Sequence, residues 1–230
     1  MQRTKGIESI VDQQFKRWEA DKLRRLALKR ERETHQPVIT ISRQYGTGGT
    51  WIGQEISERM GFSCWDQELV HEIAAHASAP ERLFKRLDEH HQNALEAIIA
   101  ATLYPGRPST AEYLTELRHT VHTLGHHGAA VIVGRGGHCI LTGDEALKVR
   151  VIAPFKQRVE WVMRETGVSH DKAHRKVTEV DSDRAAFMQD TFHHDFSSVD
   201  AFDLVINREF LSIEQAADII ETAYRARFGL

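Results

Sequence analysis

A glycine-rich stretch at residues 42–50 carries the residue types best suited to chemistry. It runs Ser-Arg-Gln-Tyr-Gly-Thr-Gly-Gly-Thr and lies between a β-branched apolar run at 37–42 and a helical pattern at 51–60. Glycines let successive backbone amides turn inward around an anion, and a helix N-terminus adds partial positive charge. The pattern predicts a phosphate-binding loop, with a tight turn that binds nothing as the alternative. The residues expected to bind phosphate are Gly46, Thr47, Gly48, Gly49 and Thr50.

The loop departs from the common phosphate-loop consensus G-x-x-x-x-G-K-[ST]. When the two are aligned on Gly48, Arg43 stands at the first glycine position and Gly49 at the lysine position. That lysine normally lies along the β- and γ-phosphates, so its charge has to come from another residue. We expect Arg43 to supply it, because a planar guanidinium suits phosphate oxygens. Thr50 takes the hydroxyl position, which predicts a contact with Mg²⁺.

Apolar, β-branched runs alternate with helical patterns along the rest of the chain. Strands are predicted at 37–42, 62–65, 129–133, 147–153 and 202–207. Helices are predicted at 51–60, 66–77, 80–103, 110–127, 155–166, 169–178, 181–191 and 213–226. The alternation predicts an α/β domain whose parallel sheet is covered on both faces. The stretch 66–127 is expected to be a helical insert near the carboxyl end of the sheet, where ligands bind in such folds.

Residues 1–36 precede the first predicted strand and are expected to form a helical extension of the domain at 37–230. Apolar side chains recur over 7–33 at spacings of three and four residues, and the far end of this segment is basic. We expect this helix to pack on the domain or to form a homodimer. A role at a membrane surface or on nucleic acid is the less favoured alternative.

The composition excludes several classes of protein. The 30 Lys and Arg residues face 33 Asp and Glu residues, so no basic excess indicates a nucleic-acid partner. No apolar stretch approaches the roughly 18 residues that span a bilayer. Two cysteines, Cys64 and Cys139, are too few for a disulfide framework and favour a cytoplasmic location. Histidines that share helix faces are expected to be solvated rather than metal-bound: His119, His122 and His126 on one helix, His170 and His174 on another.

Two segments together resemble the cytidylate kinase-like family, a P-loop branch near the nucleoside monophosphate kinases. One is Ile-Ser-Arg-Gln-Tyr-Gly-Thr-Gly-Gly at 41–49, followed by Ile52-Gly53, and the other is Trp-Asp-Gln-Glu-Leu at 65–69. The family's loop carries this arginine and lacks the lysine, although its usual pattern has arginine where Thr50 stands. The resemblance covers about residues 37–222. It implies a three-layer P-loop fold with a five-stranded parallel sheet, and ATP and Mg²⁺ as cofactors.

Arg135 is the candidate acceptor-binding residue. It lies in Val-Ile-Val-Gly-Arg-Gly-Gly at 131–137, a predicted strand that ends in a tight turn. A guanidinium at a strand's carboxyl end suits an anion, although a structural salt bridge is also consistent with the pattern. The segment is similar to the Gly-Arg segment of bacterial cytidylate kinases, whose arginine holds the acceptor's phosphate. Those enzymes have Asp where this chain has Gly136. Asp66 is expected to orient the acceptor or a hydrated Mg²⁺, or else to cap the next helix.

The resemblance also implies a lid at about residues 163–184. Lid-side arginines neutralise charge on the transferred phosphoryl group in relatives, which makes Arg158, Arg164 and Arg184 candidates here. Asp-Ser-Asp-Arg at 181–184 resembles the family's Asp-x-x-Arg segment. The residues expected to take part in catalysis are Arg43, Arg158, Asp181 and Arg184.

The leading hypothesis is ATP-dependent phosphoryl transfer to a nucleoside monophosphate, cytidylate-like, or to a related small acceptor. The alternative is a non-catalytic regulatory module that binds a nucleotide or an anion through a degenerate loop. The missing lysine and Gly136 favour this alternative, in which the N-terminal helix would be the output or dimer surface. An NAD-linked Rossmann enzyme is disfavoured because the G-x-G-x-x-G spacing is absent.

Overall fold

The computed structural model describes residues 36–66 and 110–230. The described strands are β1 (Val38–Arg43), β2 (Ser63–Trp65), β3 (Ala130–Val133), β4 (Ala146–Ile152) and β5 (Leu204–Asn207). The described helices are α1 (Gly49–Met60), α2 (Thr110–His127), α3 (Gly137–Ile140), α4 (Phe155–Thr166), α5 (His170–Phe192) and α6 (Ile213–Phe228), and a 3₁₀ turn covers Gly143–Glu145. The extension at 1–36 and the helices predicted at 66–77 and 80–103 lie outside the described residues, apart from Gln36 and Asp66.

Within the described residues, the five strands form one parallel sheet in the order β2-β3-β1-β4-β5. This confirms the α/β prediction and the five-stranded sheet. β1 is the central strand, with Ile39 beside Val131 on one side and beside Leu147 on the other. Later strands are added on both sides of β1, so its carboxyl end lies at a switch point of the topology. Open α/β sheets bind ligands at such a point.

The core forms where the β-branched strands meet α1 and α6. Its buried residues include Ile41, Val131, Val149, Ile52 and Ile220. Tyr224 is fully buried, and its hydroxyl donates a hydrogen bond of 2.7 Å to the Pro37 carbonyl. The Ser212 hydroxyl accepts from the Gln215 amide, which forms the capping box that begins α6. Ile52 belongs to this core, so its burial holds α1, and the glycine-rich loop before it, against the sheet.

Helices α4 and α5 pack on each other through a small apolar cluster of Val159, Val162, Ala173 and Val177. The prediction of two helices at 169–178 and 181–191 is wrong, because α5 runs unbroken over His170–Phe192. Glu179 and Val180, at the expected break, include neither glycine nor proline, so nothing interrupts the backbone hydrogen bonds. The segment proposed as a lid therefore spans the end of α4, a short connection and the first two-thirds of α5. None of the helices described could cross a membrane, by length and apolar character.

Gly53 sets how closely α1 approaches the sheet. A Cβ atom at this position would lie 2.7 Å from Val133 Cγ2. We predict that Gly53→Ala lowers the free energy of unfolding by about 1–2 kcal/mol, because overpacking outweighs the better helix propensity of alanine. Urea unfolding of Gly53→Ala, Val133→Ala and the double variant tests this. The double variant is expected to lose less than the sum of the single losses, and strict additivity would contradict the contact.

Candidate functional site

The glycine-rich loop presents backbone amides rather than side chains. Gly46 and Gly48 have φ angles of 80° and 73°, in the left-handed region that glycine adopts without strain. Gly48 is the N-cap of α1, with no side-chain capping bond. No acceptor is recorded within the described residues for the amides of residues 46–50. Left-handed glycines directly before a helix N-terminus are typical of loops that bind anions, and phosphate binding at residues 46–50 stays a prediction.

Two residues of the α4–α5 pair hold this loop at Tyr45. Asp181 Oδ1 accepts a 2.7 Å hydrogen bond from the Tyr45 amide, and Arg158 Nη1 donates a 3.1 Å bond to the Tyr45 carbonyl. Arg158 is 5% exposed and also forms an ion pair with Asp181. Its Nε donates to the Ala153 carbonyl at 3.1 Å. The structure thus places Arg158 and Asp181 beside the loop, where both form hydrogen bonds with its backbone.

Arg43, Thr50 and Asp66 meet at the carboxyl ends of β1 and β2. Asp66 accepts from Arg43 Nη2 and from Thr50 Oγ1, both at 3.1 Å. The Arg43 side chain lies along Gly134, where a Cβ atom would be 1.9 Å from Nη1, so a larger residue at Gly134 would displace the guanidinium. Arg43 Nε is buried and has no hydrogen-bond partner among residues 36–66 and 110–230. It remains a donor that a bound anion would satisfy.

Arg184 and Arg135 add desolvated positive charge next to Arg43. Arg184 Nη1 donates to the Arg43 carbonyl at 3.1 Å, and its guanidinium lies 5.6 Å from the centre of the Tyr45 ring. Burial, with the Arg43 charge, lowers the pKa of Arg184 to about 9. Burial also lowers the pKa of Arg135 to about 9, with Asp66 opposing this shift and Arg43 adding to it. Both remain protonated at neutral pH, so poorly solvated cations surround the site.

The loop borders a cleft of about 280 Å³. Arg43, Gly46, Gly48, Gly49, Thr50 and Arg184 line it, together with Trp51 and residues of α4 that include Trp161 and Glu165. Most of the predicted phosphate-binding residues therefore meet in one place. Thr47 is buried under the loop, where its hydroxyl donates to the Gln44 carbonyl at 2.9 Å.

A second cleft of about 320 Å³ lies between α4 and the end of β5. Its main side chains are Trp161, Arg164 and Arg208, and the Arg208 guanidinium lies 4.4 Å from the centre of the Trp161 ring. A Cβ atom at Gly48 would lie 3.4 Å from Trp161 and 3.5 Å from Arg208, so this cleft adjoins the loop. Neither Trp161 nor Arg208 belongs to a motif that indicated a site in the sequence. The available signal was that Arg208 directly follows β5, because residues at the carboxyl ends of parallel strands share one edge.

The described residues thus form a parallel α/β domain with a glycine-rich loop at the carboxyl end of its central strand, the arrangement expected of a P-loop fold. Residues 38–209 match the model of the cytidylate kinase-like family, so the chain belongs to this family. The recognition from sequence is thereby confirmed.

Three relatives illustrate the similarity. The cytidylate kinase of Pyrococcus horikoshii is 26% identical over 188 residues, which cover 81% of this chain and 87% of that protein. The uronate isomerase of Corynebacterium glutamicum is 28% identical over 132 residues, and the chain spans about a quarter of that protein, 24%. The crystal structure of an uncharacterized protein from Eubacterium ventriosum matches with a TM-score of 0.64 at 16% identity, covering 83% of this chain and 99% of that one. This last match shows the fold alone.

We predict that Asp181→Ala lowers the free energy of unfolding by about 3 kcal/mol, because it leaves Arg158 buried without its ion pair. Asp181→Asn should lose less, since its amide oxygen still accepts from the Tyr45 amide. Asp183→Ala, two residues further along α5, is the matched control and should change stability little. Chemical denaturation of the three variants provides the measurement. Equal losses of unfolding free energy in Asp181→Ala and Asp183→Ala would show that the hydrogen bonds to the Tyr45 backbone contribute nothing to stability.

Proposed function

We propose that the protein transfers the γ-phosphoryl group of ATP to a nucleoside monophosphate, with cytidylate as the first candidate. One observation carries the proposal: the loop amides at 46–50 and the buried Arg43 Nε have no partners among the described residues, and they lie at one cleft with Arg184. Membership of a kinase-like family supports phosphoryl transfer. The name of the P. horikoshii relative supports cytidylate.

The donor phosphates fit this loop. Backbone amides and the N-terminus of α1 favour binding of the negatively charged phosphates of ATP at Gly46–Thr50, and the cleft of about 280 Å³ can accommodate them. In the reaction, an oxygen of the acceptor phosphate attacks the γ-phosphorus, and the bond to the β–γ bridging oxygen breaks to release ADP. Arg43 and Arg184 would stabilise the charge on the transferring group. Their low solvation strengthens such an interaction.

Thr50 and Asp66 are the residues proposed to hold Mg²⁺. Their hydroxyl and carboxylate oxygens already lie 3.1 Å apart, and oxygen ligands are those that Mg²⁺ prefers. When bound, Mg²⁺ would neutralise phosphate charge. Asp66 also pairs with Arg43, so one carboxylate would orient both the ion and the guanidinium.

The donor base is proposed to occupy the second cleft. Trp161 offers an aromatic face next to Gly48, and Arg208 and Arg164 lie over its ring at 4.4 and 5.5 Å. Arg208 Nε is buried, and no described residue forms a hydrogen bond with it, which leaves a donor for a ring nitrogen or a ribose oxygen. A base stacked there would place its phosphates toward the loop.

Arg135 is proposed to bind the acceptor phosphate. It follows β3, the strand that pairs with β2, and the charges of Asp66 and Arg43 shift its pKa. Arg158 and Asp181 are proposed to act on catalysis through the loop, because both bind its backbone at Tyr45. The described contacts of Arg164 belong to the base cleft rather than to the phosphates.

A non-catalytic nucleotide-binding module is the second candidate. Gly49 at the lysine position, and the engagement of Arg43 by Asp66, favour it. We predict that purified protein with Mg-ATP converts at least one of CMP, dCMP, UMP, AMP and GMP to its diphosphate, with CMP preferred. Chromatographic separation of the nucleotides measures this conversion. Tight ATP binding without any diphosphate would support the binding module and contradict the kinase.

The role of Arg135 gives a separate prediction. Arg135→Ala should raise the KM for the acceptor by about 10–100-fold, the cost of a lost hydrogen bond to a charged group. The Kd for ATP should change less than about twofold, since Arg135 is assigned to the acceptor. Exposed Arg175 offers the control variant Arg175→Ala, for which neither value should change. If Arg135→Ala raised the acceptor KM and the ATP Kd by the same factor, the assignment of Arg135 to the acceptor would be refuted.

A further inference from the structure

Three side chains with metal-binding atoms converge away from the phosphate site. His138 and Cys139 lie in α3, and His194 follows the end of α5. One ligand atom from each lies within 4.8 Å of the others. His138 is buried, and Cys139 and His194 are half-buried. None of the histidines singled out by helical spacing belongs to this cluster.

The backbone beyond α5 is shaped to bring His194 back toward α3. His193 ends the helix with a φ angle of 52°, an uncommon value for a residue with a side chain. The His194 amide then donates to the Met188 carbonyl at 3.3 Å. As a result, the His194 ring packs edge-to-face on His138, with 5.6 Å between the ring centres. A left-handed histidine is therefore part of the local geometry that places the third ligand.

The cluster also has a buried atom that needs a partner. His194 Nδ1 is shielded from solvent and finds no hydrogen-bond partner in the part of the chain that the structure describes. A buried polar atom without a partner is unfavourable, and a metal ion would satisfy it.

We propose that His138, Cys139 and His194 bind one Zn²⁺ ion, with water as the fourth ligand. Two imidazole nitrogens and a thiolate are a donor set that suits zinc. Bond lengths of about 2.0 Å to nitrogen and about 2.3 Å to sulfur place tetrahedral ligand atoms roughly 3.3–3.7 Å apart. The three ligand atoms now lie within 4.8 Å of one another, so zinc binding requires side-chain movements of about an ångström and no rearrangement of the fold. Binding releases the thiol proton of Cys139.

The surroundings leave the fourth position to water. Asp195 is the adjacent acid, but both of its carboxylate oxygens accept hydrogen bonds from Ser197. The Arg150 guanidinium lies 4.0 Å from the centre of the Phe196 ring, and its Nη1 donates a hydrogen bond to Ser42 Oγ. These two contacts fix the position of the Arg150 charge. The ion would join α3, just after the Arg135 turn, to the end of α5. Its binding does not depend on phosphoryl transfer.

Cobalt provides the test, because Co²⁺ bound to a thiolate has a near-ultraviolet charge-transfer band. The chain of 230 residues, freed of metal with a chelator, is titrated with Co²⁺ and then with Zn²⁺. We expect one Co²⁺ per chain with this band, and displacement by one equivalent of Zn²⁺. The thermal unfolding midpoint should rise with Zn²⁺. Cys139→Ser should lose the band, and His194→Gln should weaken binding at least tenfold.

Matched variants separate this site from adventitious binding. Cys64→Ser removes the other thiol, and His174→Gln removes an exposed histidine of α5; both should bind Co²⁺ like the unchanged protein. Cys139→His should keep the ion while losing the thiolate band, which distinguishes lost ligation from lost folding. The proposal is overturned if no thiolate band forms, or if the band and the stoichiometry survive in both Cys139→Ser and His194→Gln.

Discussion

The ion pair between Arg158 and Asp181 is the interaction on which the loop's shape depends. A loop with two left-handed glycines has little conformational preference of its own. The pair removes that freedom by binding both the amide and the carbonyl of Tyr45. Because the partners belong to α4 and α5, the position of the loop backbone at Tyr45 depends on the packing of these two helices.

The missing lysine changes where the positive charge of the site comes from. In the common loop, the lysine sits at the start of the helix that the loop begins. Here the corresponding residue is Gly49, and a Cβ atom there would lie 2.8 Å from the Arg43 Cβ. Arg43 therefore occupies the space beside this position, and Arg184 reaches the same place from α5. Two guanidiniums offer more directed donors than one ammonium, but their positions depend on separate elements.

The sequence predicted well what local patterns determine. Runs such as 129–133 and 147–153 became strands because β-branched residues buried on both faces suit a parallel sheet. The glycine spacing predicted the loop, and Ser212 with Gln215 predicted the start of α6. The sequence could not show contacts between distant segments. Trp161 next to Gly48 and His194 next to His138 arise from tertiary packing, so no spacing rule would have found them.

Arg158 and Asp181 combine the two cases, because sequence motifs indicated both residues but their contacts depend on tertiary packing. The resemblance pointed to both residues, and the structure places both at the site. Their side chains, however, are directed at the Tyr45 backbone and at each other. Residue type and motif position could not distinguish a group that touches phosphate from one that holds the phosphate-binding backbone. That distinction depends on which way a buried guanidinium points.

Gly136 shows that a departure from the family pattern can be part of the packing. A Cβ atom at this position would lie 2.2 Å from Cε2 of Phe192, at the end of α5. A larger residue here, such as the aspartate of bacterial cytidylate kinases, would therefore require the Phe192 ring to move. Phe192 in turn packs against Phe187, with 6.0 Å between the ring centres, and lies two residues before His194. The position of the Phe192 ring over the Arg135 turn thus depends on the glycine at 136.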